Sequence, residues 1–424
     1  MMLGESLPKG YKMTKVGIIP EEWHDGTVSD LFHVVTGTTP STSSPEYWED
    51  GTLLWITPTD LSMNDGQIYI SNCEREITDS AVRDYNLSRL PVGSIIVSTR
   101  APVGYVALNR NVAYINQGCK GLIPKENVSG TEVYYSYYLK SRTSELIRMS
   151  EGSTFKELSK RSLELFSIPI PQNYECKKIG SILSTVDAAI AATDEVIAKT
   201  KDLKRGLMQD LLMKGINEEG RVRSEEADAF CERTVNSTTF KFPEPWEFKA
   251  MGDIITLKRG YDLPADERLA GGVPVISSSG ISGYHKETKV CGPGVVTGRY
   301  GTLGEVFFIE RDFWPLNTTL YVRNFKNNDP KFISYFLKLH LAVYQSDALS
   351  IPGINRNFVH KLLCAAPPLP EQHRIAAVLS TIDHNLAAER DHRTCLQTLK
   401  KGLMQDLLTG RKRVPLNGGV IHGF

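Results

Sequence analysis

Apolar residues recur at alternating steps of four and three along two stretches of this chain. Ile179, Leu183, Val186, Ile190, Thr193, Ile197, Thr200, Lys204, Leu207 and Leu211 form the first seam; Ile375, Leu379, Ile382, Leu386, Glu389, Arg393, Leu396, Lys400, Leu403 and Leu407 form the second. This is heptad spacing, and it predicts helices whose apolar stripe must be covered by a partner. Pro169 and Pro171 before the first stretch, and Pro367, Pro368 and Pro370 before the second, set the starts, because proline fits only in a helix's first turn. Gly215 and Gly410 set the ends. Each helix then has about 40 residues and a length of about 60 Å at ~1.5 Å per residue. The two are expected to pair antiparallel, since the domains attached to them would collide in a parallel pair. The second seam is charged in its middle, which is therefore expected to be wetter or used for contacts.

The two stretches are one sequence written twice. Residues 206–212 recur letter for letter at 402–408, and 17 of the 38 positions from Glu175 to Leu212 are identical 196 residues later. A second correspondence has an offset of 223: Pro20-Glu21-Glu22-Trp23 matches Pro243-Glu244-Pro245-Trp246, with Asp30 and Asp253 seven residues after the Trp and Gly37 and Gly260 fourteen after. Unequal offsets mean that the intervening segments differ while their ends stay alike. Within those segments, residues 52–57, 93–98 and 104–108, and again 273–277, 294–297 and 304–309, are short β-rich runs bounded by Gly or Pro. In each copy a strand leads into a loop carrying one arginine, Arg100 or Arg299, and then a Gly opens another strand. Residues 131–149 and 330–344 read as helices. The expected architecture is α/β (α+β): two similar domains, 1–170 and 241–365, separated by two long antiparallel coiled-coil helices, 171–215 and 366–412, as a pseudo-two-fold internal repeat. Residues 216–240, acidic and without apolar periodicity, are expected to be a linker, and 413–424 a tail.

With 41% apolar and 23% charged residues, and no apolar run near the ~18–20 residues of a membrane span, a soluble globular protein is expected. The first residues lack a basic patch followed by an apolar core, so no secretory signal is read and the cytoplasm is the expected location. Seven scattered cysteines without a Cys-x-x-Cys pair are expected to be reduced and mostly buried, not a disulfide framework or zinc site. The net charge is zero; by segment it is −4 for 1–170, +1 for 171–215, −3 for 216–240, and +3 each for 241–365 and 366–424. Neither domain is strongly basic, so affinity for phosphate should be modest.

The motifs of several enzyme classes are missing. The sequence has no Gly-x-x-x-x-Gly-Lys-Ser/Thr, no Asp/Asn-Pro-Pro-Tyr of amino-methyltransferases, no Gly-x-Ser-x-Gly and no His-Glu-x-x-His. No catalytic residue and no metal site is assigned. The chemistry that remains is binding by loop donors: Arg100, Lys120, Lys156, Lys160 and Arg161 in the first domain, and Arg259, Ser277, Ser278, Ser279, Arg299, Tyr300, Asn355 and Arg356 in the second. Arg reads guanine bidentately and Asn reads adenine, whereas Lys and Ser more often hold phosphate.

The arrangement resembles the specificity (S) subunits of type I restriction–modification systems over essentially the whole chain. The resemblance is carried by Ile19-Pro20-Glu21-Glu22-Trp23 before Asp30 and Gly37, by residues 51–61, by the run Pro367-Pro368-Leu369-Pro370-Glu371-Gln372-His373-Arg374-Ile375 and by the Gly-Leu-Met-Gln-Asp-Leu-Leu ends. The first copy departs from it, since residues 171–179 keep Glu175 and Ile179 but not the Glu-Gln pair. The resemblance implies two target-recognition domains that each read half of a split double-stranded DNA sequence, held apart by the paired helices. It implies no cofactor on this chain: two modification (M) subunits would bring S-adenosylmethionine and methylate adenine, and restriction (R) subunits would bring ATP- and Mg-dependent translocation and cleavage. Two other readings stay open on the residues alone, a non-catalytic protein-interaction scaffold of tandem α/β domains and a DNA-modifying enzyme with a divergent site.

Overall fold

The computed structural model describes residues 7–150, 157–299, 304–347 and 353–415. The chain divides into two compact units, residues 1–194 with 391–424, and residues 195–390. The division cuts across both long helices, so each unit owns half of each.

Those helices are continuous, Asn173–Met213 and Leu369–Leu407. All twenty seam positions are buried or half-buried, while Val196, Leu203 and Leu399 on the flanks are exposed. In the first unit Asp187 pairs with Lys400 at 2.5 Å and Asp194 with Arg393 at 2.5 Å. Seven residues forward on one helix is seven back on the other, which makes the pair antiparallel. The second unit repeats this: Lys204 pairs with Asp383, and twelve residues on, the Ile216 N–H donates to Glu371, twelve residues back. The charged middle of the second seam is used for one of these contacts, the Arg393–Asp194 pair, which stays partly exposed.

A tyrosine closes each helix pair onto its domain. Tyr137 donates to Asp187 at 2.6 Å and Tyr335 to Asp383 at 2.7 Å. Burial, and then the adjacent carboxylate, push both phenols above their ordinary value. A second duplicated contact sits where one helix starts and the other ends. Glu175 accepts from Trp23 Nε1 at 2.8 Å and from Arg413 Nε at 2.7 Å. Glu371 accepts from Trp246 Nε1 at 3.2 Å, from the Ile216 N–H at 2.9 Å and from two nitrogens of Arg223. Gly215 and Gly410 end the helices at φ +73° and +69°, and a Cβ on either would meet the Trp246 or Trp23 ring. The missing Glu-Gln pair also has a physical account. Gln372 ties the Asn328–Asp329 turn and the Pro367 carbonyl to its helix, whereas its buried counterpart Cys176 reaches only the matching Pro171 carbonyl, at 4.0 Å.

The two domains share a topology. In the first unit a five-stranded sheet runs Phe32–Thr36, Cys119–Pro124, Ile95–Ser98, Val106–Asn109, Tyr69–Ile70, beside a three-stranded sheet in which Ala113–Ile115 lies parallel to Leu53–Ile56. The second unit has Thr256–Arg259, Thr319–Asn324, Gly294–Gly298, Val306–Ile309, beside a sheet in which Trp314–Pro315 lies parallel to Val273–Ser277. The strands at 106–109 and 119–124 recur 200 residues later, at 306–309 and 319–324.

Two expectations need correction. Residues 216–240 are not a bare linker, for Phe230–Val235 pairs with Thr238–Pro243 around Asn236 and Ser237, both at positive φ as a two-residue hairpin turn requires. The acidic residues hid the alternation that places Phe240 and Phe242 against Phe248. A matching hairpin, Tyr11–Thr14 with Gly17–Pro20, precedes Trp23, so the repeat begins before the Pro-Glu motif. The cysteines are all free, but Cys119, Cys176 and Cys364 alone are buried; Cys73 and Cys231 are half-buried, and Cys291 and Cys395 lie on the surface.

Candidate nucleic-acid interface

The parallel pairing of Leu53–Ile56 with Ala113–Ile115 sends both strands out of the sheet at one edge. Ile95–Ser98 runs antiparallel to Cys119–Pro124 and ends at the same place. Two loops, residues 99–101 and 116–118, therefore meet there with the start of the helix Pro58–Met63, capped by Thr57. With Trp55 and Arg75 they line a hollow of about 380 Å3 that includes Thr57, Thr59, Arg100, Asn116 and Gln117. The backbone fixes them: Thr99 N and Arg100 N donate to the Gly118 carbonyl at 2.8 and 3.2 Å, and Leu158 N donates to the Thr99 carbonyl at 2.9 Å.

The second unit makes the same bonds, with Arg299 N on the Thr318 carbonyl at 2.8 Å and Ile354 N on the Arg299 carbonyl at 2.9 Å. Arg299 thus stands in the place of Thr99 and not, as the sequence pattern suggested, in that of Arg100. Gly37 and Gly260 hold the same position in each copy. Their N–H groups donate to Cys119 and Thr319 carbonyls, and a Cβ would lie 2.0 Å from the Asn116 oxygen or 2.2 Å from the Leu316 oxygen. The repeated glycine is explained by this approach of backbone to loop. Asp30 closes a capping box with Thr27; Asp253 holds the matching place in its helix, where the cap residue Ala250 has no hydroxyl to return the bond.

Of the candidate contacts, Arg100 is exposed and bonded to Glu157 at 3.1 Å. Lys160 and Arg161 are exposed at the start of Lys160–Glu164, one turn from the Leu158–Thr99 bond, with Lys160 3.6 Å from Glu164. Arg356 opens the corresponding helix Arg356–Lys361, capped by Asn355, next to the Ile354–Arg299 bond. Arg259 is exposed and its Nε donates to the Asn317 carbonyl at 3.3 Å. Ser277, Ser278 and Ser279 form the turn between Val273–Ser277 and Gly280–His285, with the Ser277 hydroxyl on the Gly280 carbonyl at 3.0 Å. Lys120 is different: its side chain is 4% exposed, 3.6 Å from Glu157 and 3.5 Å from Thr99 Oγ1, and burial holds its pKa below the ordinary lysine value. It supports the loop from beneath instead of facing solvent. Lys156 and Tyr300 lie outside the described residues. The loops so assembled offer donors and planar amides. Among the described residues no cluster of three or more His, Cys, Asp or Glu has metal-site geometry, and no helix is long and apolar enough to cross a membrane.

Gln117 and Asn317, at the tips of the equivalent loops, were not among the sequence candidates. The offset of 200 that equates them comes from the strand registers, Cys119 opposite Ser98 and Thr319 opposite Gly298; in the sequence only Gly104/Gly304 and Val106/Val306 are identical over residues 94–124 and 294–324, too few to show it.

The type I restriction modification DNA specificity domain matches twice, at residues 20–201 and 243–396. The chain is 28% identical over 432 residues to the type I restriction enzyme MjaIX specificity subunit of Methanocaldococcus jannaschii, covering 95% of this chain and 96% of that one. It is 28% identical over 190 residues to the EcoR124I/EcoR124II specificity subunit of Escherichia coli, covering 43% of this chain and 45% of that one. The fold is similar to that of the type I restriction–modification S subunit from M. genitalium, with a TM-score of 0.61 at 15% identity over 91% of this chain and 96% of that one. The scaffold reading is not favoured by these matches. A domain match that spans most of the chain and occurs once per repeat places this protein in the type I restriction–modification DNA specificity family.

Proposed function

We propose that this chain is the DNA-recognition subunit of a type I restriction–modification complex, reading a split target with one domain per half. The observation that carries this reading is a pair of domains with one backbone plan but unlike loop side chains, joined to two copies of one helix. Such a design presents two different readers in one framework, and the duplicated helix gives two like faces for two copies of a partner. The chain itself supplies no catalysis. Two M subunits, carrying S-adenosylmethionine, methylate adenine in each half; R subunits, with ATP and Mg, cleave. The paired helices set the unread spacing, and the complex works in the cytoplasm, where the DNA is. Near-neutral domains leave part of the phosphate affinity to those partners.

The test is retention of sequence-specific DNA and adenine methylation by the purified chain with and without an M partner. Specific retention and methylation by the complex support the reading. Complex formation without any sequence preference contradicts it, and methylation by the chain alone points to an enzyme.

A further inference from the structure

We propose that Gln117 and Asn317 are specificity-determining residues, each reading an adenine in the major groove of its own half-site; this rests on the function proposed above. The two side chains occupy one position in the repeated fold. Both follow a residue whose carbonyl packs against the repeated glycine of the copy, Asn116 on Gly37 and Leu316 on Gly260, and both precede a residue whose carbonyl is bonded to the arginine loop. Around them the loops differ, Asn116-Gln117-Gly118 against Leu316-Asn317-Thr318, yet the tip is a carboxamide in both.

The loop backbones are fixed on both sides, which makes the tips rigid mounts. Gly118 N donates to Asn116 Oδ1 at 2.8 Å, a Cβ on Gly118 would lie 2.9 Å from the Pro58 ring, and Arg259 Nε holds the Asn317 carbonyl. Gln117 is exposed and makes no side-chain hydrogen bond among the described residues. Asn317 Nδ2 donates to Asp262 Oδ1, which orients the amide and leaves its second N–H and its Oδ1 for a ligand. A primary amide places a donor and an acceptor in one plane and matches adenine N7 and N6, while a phosphate uses only the donor. Arg100 lines the hollow beside Gln117, and Arg299 is hydrogen-bonded through its backbone beside Asn317. Asp262 is a positioning residue for Asn317.

The experiment uses the whole chain assembled with its M partner and selection of methylated sites from DNA randomised across the target. Gln117→Ala is expected to relax one A·T position in one half, with discrimination falling roughly 5- to 150-fold, and Asn317→Ala to do the same in the other half. Gln117→Glu, which only accepts, is expected to shift that position towards a pair with cytosine N4 in the groove. For the two Ala variants the slope of affinity against salt stays unchanged, because no phosphate contact is lost and no charge is added. The unaltered half serves as the internal control for folding. Uniform weakening on all sequences, a changed salt slope, or relaxation in both halves by one substitution overturns the inference, as does an unchanged target. If the wild-type complex itself shows no preference, the parent reading fails and this one with it; a wild-type preference that Gln117→Ala and Asn317→Ala leave intact sinks this one alone.

Discussion

Replacing Glu371 by Ala removes an acceptor that three groups share in the second unit. The carboxylate is 1% exposed and Arg223, its ion-pair partner, 10% exposed. Without it Arg223 keeps a nearly buried charge, and the Ile216 N–H and the Trp246 indole N–H lose their partner. Breaking a buried pair of this kind costs about 3–5 kcal/mol. An unsatisfied buried donor costs about 1–3 kcal/mol, but the two do not simply add, because water enters the space left behind. A loss of about 3–5 kcal/mol is expected. Its twin Glu175→Ala is expected to cost less, about 1–3 kcal/mol. There Arg413 is 33% exposed and keeps Glu22 at 2.6 Å, so the buried donor orphaned is the Trp23 indole. Glu371→Gln keeps an acceptor for Ile216 and is expected to fall between. A chain of two units does not melt as one transition, so the assay is hydrogen exchange followed peptide by peptide, with the segments around Ile216 and around Trp23 reporting each unit. Equal losses in the two variants, or less than about 1 kcal/mol for Glu371→Ala, would refute the reasoning.

The remaining predictions concern loops, pH and helix length. Gly37→Ala and Gly260→Ala, which put a Cβ 2.0 and 2.2 Å from a carbonyl oxygen, are expected to displace one reading loop each and to abolish recognition of one half-site, checked by methylated-site selection. His360 accepts the Leu257 N–H at 2.9 Å on Nε2, and burial, with Arg356 and Lys326 nearby, lowers its pKa; burial also lowers that of His340. Both depressed values mean that the unfolded chain takes up protons first. The second unit is therefore expected to keep full stability above about pH 6.5 and to lose it as pH falls through the folded values. Melting of the wild type and of a His340→Asn/His360→Asn variant between pH 8 and 5.5 checks this, and an equal pH slope in both would contradict it. Deleting about one turn, three to four residues, from the first long helix is expected to shorten the unread spacer and leave both halves of the target unchanged.

The long helices were legible because heptad spacing is a local signal, and Pro370 and Gly410 mark ends that local sterics dictate. The Trp and Gly positions were legible as repeats, but their reasons were not: Gly37 is needed by a carbonyl 79 residues away in sequence, at Asn116. Lys120 read as a surface cation because nothing local tells that Glu157 and Thr99 close over it. Arg299 was matched to Arg100 by residue type, whereas the bonds from Ile354 N to the Arg299 carbonyl and from Leu158 N to the Thr99 carbonyl show it in register with Thr99. The hairpin at 230–243 was hidden because charge outweighed its alternation. What escaped was tertiary in each case, a pairing of distant segments that neither period nor composition encodes.

The central claim is that two independent readers share one framework. It is tested most directly by exchanging residues 241–365 for the matching segment of a relative and mapping every methylated adenine in DNA exposed to the assembled complex. One half of the target should change while the other half and the spacing between them stay as they were. Loss or alteration of both halves together would contradict the account.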